Sequence, residues 1–418
     1  VLKLIQKIFV LLTMLTAWGL TAVAEPATRI SLLTFAPGGE VYELDGHTAL
    51  RFCQPGRHDF VVNWGVFDFN APNFLYRFVK GETDYMAYPF PTDAFVEEYR
   101  RQGRSVTEQL LNLTDEQAAR LEALVEENLR PENRTYRYNY ILDNCATRPL
   151  ALIEQAVGYP IVTPDVTGFT YGDTGITDQP GDRHTFRGEM TASHHDYPWY
   201  QFGIDLALGS GLDREISSRE RTYQPIYLME TMRNAYYTDA QGARHQLVSS
   251  TKPLVNGIRA TLQPTPFWLS PCFCLTIVML LIGYLCYRDA KRRRISRWID
   301  TLIYSCFFIV SLLLTFLIFV SVHEATSPNW LFLWLNPWCI VPAALIWLKS
   351  CKRAVYFYQI CNFAALFLLL VIGILRIQVL NPAFYMLILA DMMLSARYIY
   401  VTRSLRASKT NPTARHGK

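Results

Sequence analysis

The chain has 418 residues and a mass of 48.1 kDa, room for two or three domains. Half of it is hydrophobic, only 18% is charged, and mean hydropathy lies just above zero, which excludes a disordered chain and does not fit an ordinary soluble enzyme. The net charge of +4 hides a split: residues 25–266 hold 22 Lys and Arg against 32 Asp and Glu, whereas 267–418 hold 16 against 4. A uniformly basic nucleic-acid binder is excluded; an acidic outer domain on a membrane part with basic cytoplasmic loops fits.

Lys3 and Lys7 precede an apolar run from Ile8 to Ala24 that ends Ala22-Val23-Ala24. A basic start, a short apolar core and an A-x-A site predict a secretory signal over 1–24, cleaved before Glu25. An uncleaved anchor helix is the other reading.

Residues 25–265 form the predicted outer domain, of α+β class. Ile30–Phe35, Val41–Leu44, Ala49–Cys53 and Phe60–Phe67 are short, β-branched or aromatic, and read as strands. Pro37-Gly38-Gly39 and Pro55-Gly56 read as turns. Pro91–Arg101 reads as a short helix. Thr114 and Gln117 form a capping box ahead of Leu121, Leu124, Val125 and Leu129, predicting a helix over 114–129. A third helix is expected from Asn144 to Ala156, stopped by Gly158 and Pro160. Thr163–His195 reads as a long solvated loop. It carries His184, His194, His195 and Asp196, but their spacing matches no metal-ligand pair. Trp199–Leu208 reads as a strand or a helix.

The predicted all-α membrane domain covers 266–402. Its five apolar segments are 267–287, 299–322, 330–348, 354–375 and 383–401, each near the length that crosses a hydrocarbon core. The last is weaker, because it contains Asp391 and Arg397. The connecting loops hold six, zero, three and one Lys or Arg, and the tail after Val401, with 403–418 as a basic cytoplasmic segment, holds five. Basic and basic-poor loops alternate, which places 25–265 outside the cytoplasm, as the signal does. Asp391 within a span is a functional candidate, or the partner of Arg397 or of another helix.

The chemistry rests on His47, in Asp45-Gly46-His47-Thr48, and Cys145, in Asp143-Asn144-Cys145-Ala146. Cys145 stands where a polar run meets a helix start, a place that favours a thiolate, and an imidazole supplies the base for acyl transfer. By spacing alone a Cys53–Cys145 disulfide in an oxidising compartment is an equal reading. The other seven Cys sit in or beside apolar runs and read as small hydrophobes.

Residues 30 to about 155 resemble the outer domain of the Bacteroides-type lipoprotein N-acyltransferase family, Lnb. The likeness lies in Asp45-Gly46-His47-Thr48, Val62-Asn63-Trp64-Gly65-Val66-Phe67-Asp68-Phe69, Phe78-Val79-Lys80-Gly81, Tyr138-Asn139-Tyr140 and Asn144-Cys145. His323, Asn329 and Asn336-Pro337 match a motif expected between the second and third spans; His323-Glu324 stands where the family tends to show His-Pro. The outer domain is also similar to permuted papain-like thiol folds (NlpC/P60, lecithin:retinol acyltransferase), in which the His strand precedes the Cys helix. The resemblance implies an inner-membrane enzyme with its catalytic domain in the periplasm. Cys145 would be the nucleophile, His47 the base and Asn63 the orienter, with Asp45 the runner-up. Its donor would be a phospholipid and its acceptor a diacylated lipoprotein, with no cofactor, metal or nucleic acid. Arg148 is expected at the donor phosphate or on a carboxylate, and His323, Asn329 and Asn336 in the donor cleft or as interfacial caps. The competing readings are a membrane-tethered cell-wall amidase and an inactive envelope scaffold.

Overall fold

A computed structural model describes residues 28–166, 168–170, 177–179, 181–257 and 264–410. The expected signal segment and the end of the basic tail lie outside them. The described strands, in chain order, are β1 (Arg29–Phe35), β2 (His47–Gln54), β3 (His58–Val66), β4 (Asp84–Pro91), β5 (Val106–Leu111), β6 (Thr135–Arg137), β7 (Ile161–Val162), β8 (Tyr236–Thr238), β9 (Arg244–Gln246) and β10 (Val248–Val255). Seven make one antiparallel sheet in the order β10-β5-β1-β2-β3-β4-β6, and β7-β8-β9 make a small second sheet.

Alternation along β2 sends Leu50 and Phe52 to one face and His47 and Ala49 to the other. The first face, with Leu32, Val62 and Trp64, packs on the helices Asp115–Leu129 and Thr147–Val157 through Leu121, Val125, Leu150 and Ile153. The second, with Leu33, Phe35 and Val61, packs on the helix Thr92–Arg101 through Phe95, Val96 and Tyr99. The expected helices thus form, and Thr114 and Gln117 cap the second one reciprocally. Val41–Leu44 departs from expectation. Val41–Glu43 is a 3₁₀ turn closed by a Glu40–Glu43 box. The turn at Asp45-Gly46, with Gly46 at φ +79°, follows at once, so the run is too short to reach a neighbouring strand.

The expected loop at 163–195 is corrected in its second half. Phe186–Ser193 is a helix, and His184 and His194 are enclosed rather than solvated: His184 Nδ1 bonds Glu189 at 2.9 Å and His194 Nδ1 bonds Gln201 at 2.8 Å. Among the described residues no group of three or more His, Cys, Asp or Glu is placed to hold a metal ion. Pro198–Ala207 is a helix with Pro198 in its first turn.

Four helices are long and apolar enough to cross a membrane: Pro271–Arg292, Arg297–Phe319, Lys349–Ile374 and Pro382–Arg406. The third expected span is not one long helix. It breaks into 3₁₀ turns at Trp330–Leu333 and Pro337–Cys339 and a short α-helix at Ile340–Leu345. Pro337 and Pro342 deprive it of two backbone donors. It still runs the depth of the bundle. Asn329 at its start bonds the outer domain through Leu206 O (3.1 Å), and Trp347 at its end donates to Thr301 (2.8 Å), in the opening turns of the second long helix.

Asp391 does not pair with Arg397. Tyr304 Oη (2.6 Å) and Asn362 Nδ2 (3.0 Å) donate to Asp391, while Arg397 bridges Asp300 (2.5 Å) and Asp289 (3.0 Å). The reason is helical phase. Residues 391 and 397 are six apart, about 240° around a helix, and therefore face different neighbours.

Candidate active site

The site lies at the start of β2. His47 Nε2 and Asn63 Oδ1 are 2.7 Å apart. Ala49 pairs with Asn63 in register, so His47 and Asn63 are diagonal neighbours on one face of adjacent strands. Gly65 makes room for the ring: a Cβ there would stand 3.0 Å from His47 Cε1 and 3.3 Å from Asn63 Oδ1. Phe35 lies beside the imidazole, with centroids 5.9 Å apart. With Nε2 donating to the amide oxygen, Nδ1 carries the free lone pair.

Cys145 reaches this point from the opposite face of the sheet. It stands two residues before the helix Thr147–Val157. Asn144 holds that turn. Its Oδ1 accepts the N–H groups of Ala146 (2.8 Å) and Thr147 (2.9 Å), and its Nδ2 donates to Tyr140 O (2.7 Å) and Tyr223 O (2.9 Å). The thiol receives the backbone N–H of Thr48, the residue after His47. The thiol thus meets the backbone of β2 at the residue after His47, while Asn63 holds the imidazole itself.

A thiolate poised by the helix N-terminus is not what the site holds at rest. Burial pushes the Cys145 thiol up to about 12; the Thr48 N–H works against this and the Asp45 carboxylate with it. Burial also drives His47 down to about 4, against the bond from Asn63 and assisted by Arg104. Asn144 already occupies the first N–H groups of the helix, so little of its dipole reaches the sulfur. Both partners rest neutral.

Asp45, the alternative orienter, belongs elsewhere. It accepts the Tyr140 hydroxyl and lies 3.6 Å from His194 Nε2. Burial opposes its charge, but His194 holds its carboxyl below the usual range. Arg148 makes a paired bond to Asp143 (2.5 and 2.8 Å) and lies 3.7 Å over the Tyr136 ring, the carboxylate alternative rather than a free phosphate ligand. Cys53 and Cys145 are free thiols. Cys53 is five residues along β2 from Thr48, about 17 Å away in an extended strand, so the two sulfurs are beyond disulfide reach.

The three membrane-side residues serve junctions in the chain. His323 Nε2 donates to Phe78 O (2.9 Å), across the boundary between the domains. Asn329 accepts Leu331 N–H (3.0 Å) and Gln378 Nε2 (3.1 Å). Asn336 accepts Trp338 N–H (3.1 Å) and donates to Phe332 and Leu333 carbonyls. Sequence reasoning missed Tyr85, Tyr99 and Arg104 around the site, and Gly65 and Asn144 as its supports. The signal for the last two was there: a glycine two residues after Asn63, and an Asx side chain directly before Cys145.

Two family models match the chain. The Lnb N-terminal periplasmic domain matches residues 15–166, and the Lnb transmembrane domain matches 263–405. The chain belongs to the Lnb family. No curated protein and no solved structure matches it. Membership makes this Lnb chain a membrane protein with a periplasmic domain, and it supports a lipoprotein N-acyltransferase-type role. Between the two matched regions, β10 adds the edge strand beside β5, and Asp205 accepts Asn381 Nδ2 (2.8 Å) from the membrane side.

Proposed function

We propose that this protein is an inner-membrane thiol acyltransferase that moves an acyl chain from a phospholipid to the N-terminal amine of a diacylated lipoprotein. The observation that carries the reading is the 2.7 Å contact between His47 Nε2 and Asn63 Oδ1, next to the Thr48 N–H that meets the Cys145 thiol. With both groups neutral at rest, His47 Nδ1 takes the thiol proton as Sγ attacks the ester carbonyl. Backbone N–H groups at the Cys145 turn hold the oxyanion. The intermediate collapses to a Cys145 thioester, and His47 returns the proton to the departing lysophospholipid oxygen. The lipoprotein amine then attacks the thioester, His47 accepts its proton, and the thiol leaves protonated. Ester and amine become alcohol and amide, so atoms balance. His323 and Asn329 stand behind this chemistry by holding the outer end of the bundle against the catalytic domain, and Asn336 caps the turn at Pro337.

The test is mass spectrometry of a lipoprotein N-terminus from cells lacking this protein. Wild type should restore a third acyl chain, and Cys145→Ala should not, although it inserts normally. If neither affects the third chain while muropeptides change, the reaction is a cell-wall hydrolysis instead. If Cys145→Ala complements fully, the chain acts as a scaffold.

A further inference from the structure

The edge of the outer domain nearest the membrane bundle is aromatic and uncovered. The helix Phe74–Lys80 buries none of its residues. Leu75 is 73% exposed, Phe69 58%, Tyr76 53% and Phe78 50%. Contiguous bare apolar surface of this kind marks an interaction site.

The helix sits on the bundle. Tyr76 packs edge-on against Phe316 (5.9 Å), Val322 N–H donates to Lys80 O (2.8 Å), and His323 donates to Phe78 O. Phe316 lies in the last turn of Arg297–Phe319, about 4.5 Å short of its outer end at 1.5 Å per residue. The outer ends of the bundle also leave Trp268 and Phe319 uncovered, the composition of an interfacial aromatic belt. The ectodomain helix is therefore level with the headgroup and upper acyl region.

A row of rings leads from it to the thiol. Phe78–Phe74 are 6.1 Å apart, Phe74–Phe67 5.9 Å, Phe67–Tyr85 4.7 Å and Tyr85–Tyr138 4.2 Å. Tyr85 and Tyr138 lie close enough to Cys145 for a charge there to oppose theirs, adding to the effect of burial.

We infer that Phe74–Lys80, with Phe69, inserts among the acyl chains of the outer leaflet and leads the donor chain along this aromatic row to Cys145. The insertion stands on geometry alone; the delivery rests on the acyl-transfer reading.

The test places benzoylphenylalanine at position 75 of the full chain in native membranes. Irradiation should give an adduct of phospholipid mass, also in the Cys145→Ala protein. Position 309, bare in the middle of a long apolar helix, gives the same adduct as reference, and position 116, exposed on the outer domain, gives none. Adducts to another protein only, or no lipid adduct where position 309 gives one, would overturn the insertion. Leu75→Glu should raise KM for vesicle phospholipid about tenfold and leave kcat within about twofold. An unchanged KM overturns the delivery. Absence of transfer by wild type overturns the acyl-transfer reading, while the adduct still decides the insertion.

Discussion

At the scale of single residues, a hydrogen-bond partner and burial act on one imidazole in opposite directions. Asn63 holds the ring, and burial keeps it neutral. Asn63→Ala should lower kcat by roughly 10²-fold with little change in KM, and His47→Ala by roughly 10²–10⁴-fold, measured as acyl transfer in vesicles. Since His47 titrates near 4, the acid side of the kcat/KM profile should stay flat down to about pH 5, in place of a limb near the ordinary imidazole value. The neutral thiol makes a companion expectation: iodoacetamide should alkylate Cys145 slowly at pH 7 and faster as pH rises towards 12. Stability follows the same shift. The unfolded chain binds the His47 proton below about 6.5 and the folded one only near 4. Folding is therefore weakened as pH falls through that window, by at most on the order of 3 kcal/mol. Urea midpoints should show a shallower fall for His47→Gln than for wild type.

At the scale of elements, two local devices place the His47 ring and the Cys145 turn. The bulge of β3 against β4 falls between Trp64 and Val66, and Gly65 in it leaves space for His47. Gly65→Ala should push the ring off its position and cost at least about tenfold in kcat, with far-UV circular dichroism unchanged. Asn144 spans the Cys145 turn with four bonds. Asn144→Ala should cost about 2 kcal/mol or more, because two carbonyls and two N–H groups lose their partner together. Thermal unfolding in detergent reads that loss. These elements were partly legible. The capping box at Thr114 and the apolar period behind it are local, and the helix formed where they put it. β4, β5 and β10 were not legible, because their residues become strands only by pairing with segments far along the chain, β10 with β5 across more than a hundred residues. The broken third segment was hidden for a different reason: hydropathy counts apolar residues and does not register what Pro337 and Pro342 do to the backbone.

At the scale of the whole molecule, buried charge locks the parts together. Arg187 bonds Asp205 and Asp213, both 2.8 Å away, and Asp205 takes Asn381 from the start of the last membrane helix. Within the bundle, Arg397 neutralises Asp300 and Asp289. Arg397→Leu would strand the Asp300 carboxylate away from water, Asp289 keeping Arg288 and Ser296, so it should cost about 3–5 kcal/mol and show as loss of the folded membrane protein in detergent. The double change Arg397→Leu with Asp300→Asn should recover part of that. The basic residues Arg288, Lys291–Arg294, Lys349, Lys352, Arg353, Arg403 and Arg406 follow the ends of the bundle away from the outer domain, which is the charge asymmetry read from the loops.

Composition and loop charge were enough by themselves to divide this chain into an acidic outer domain and a basic-looped membrane domain, because solvation by lipid or water acts on whole segments. The residues at risk of being chemical, His47, Asn63 and Cys145, were also visible as types in short motifs. Their roles needed the fold. Whether the Cys145 turn met β2 beside Cys53 or beside Thr48 depended on how its helix packs on the sheet, and whether Asp45 or Asn63 held the imidazole depended on strand register. The thiol's charge state depended on burial, which only the assembled tertiary structure sets.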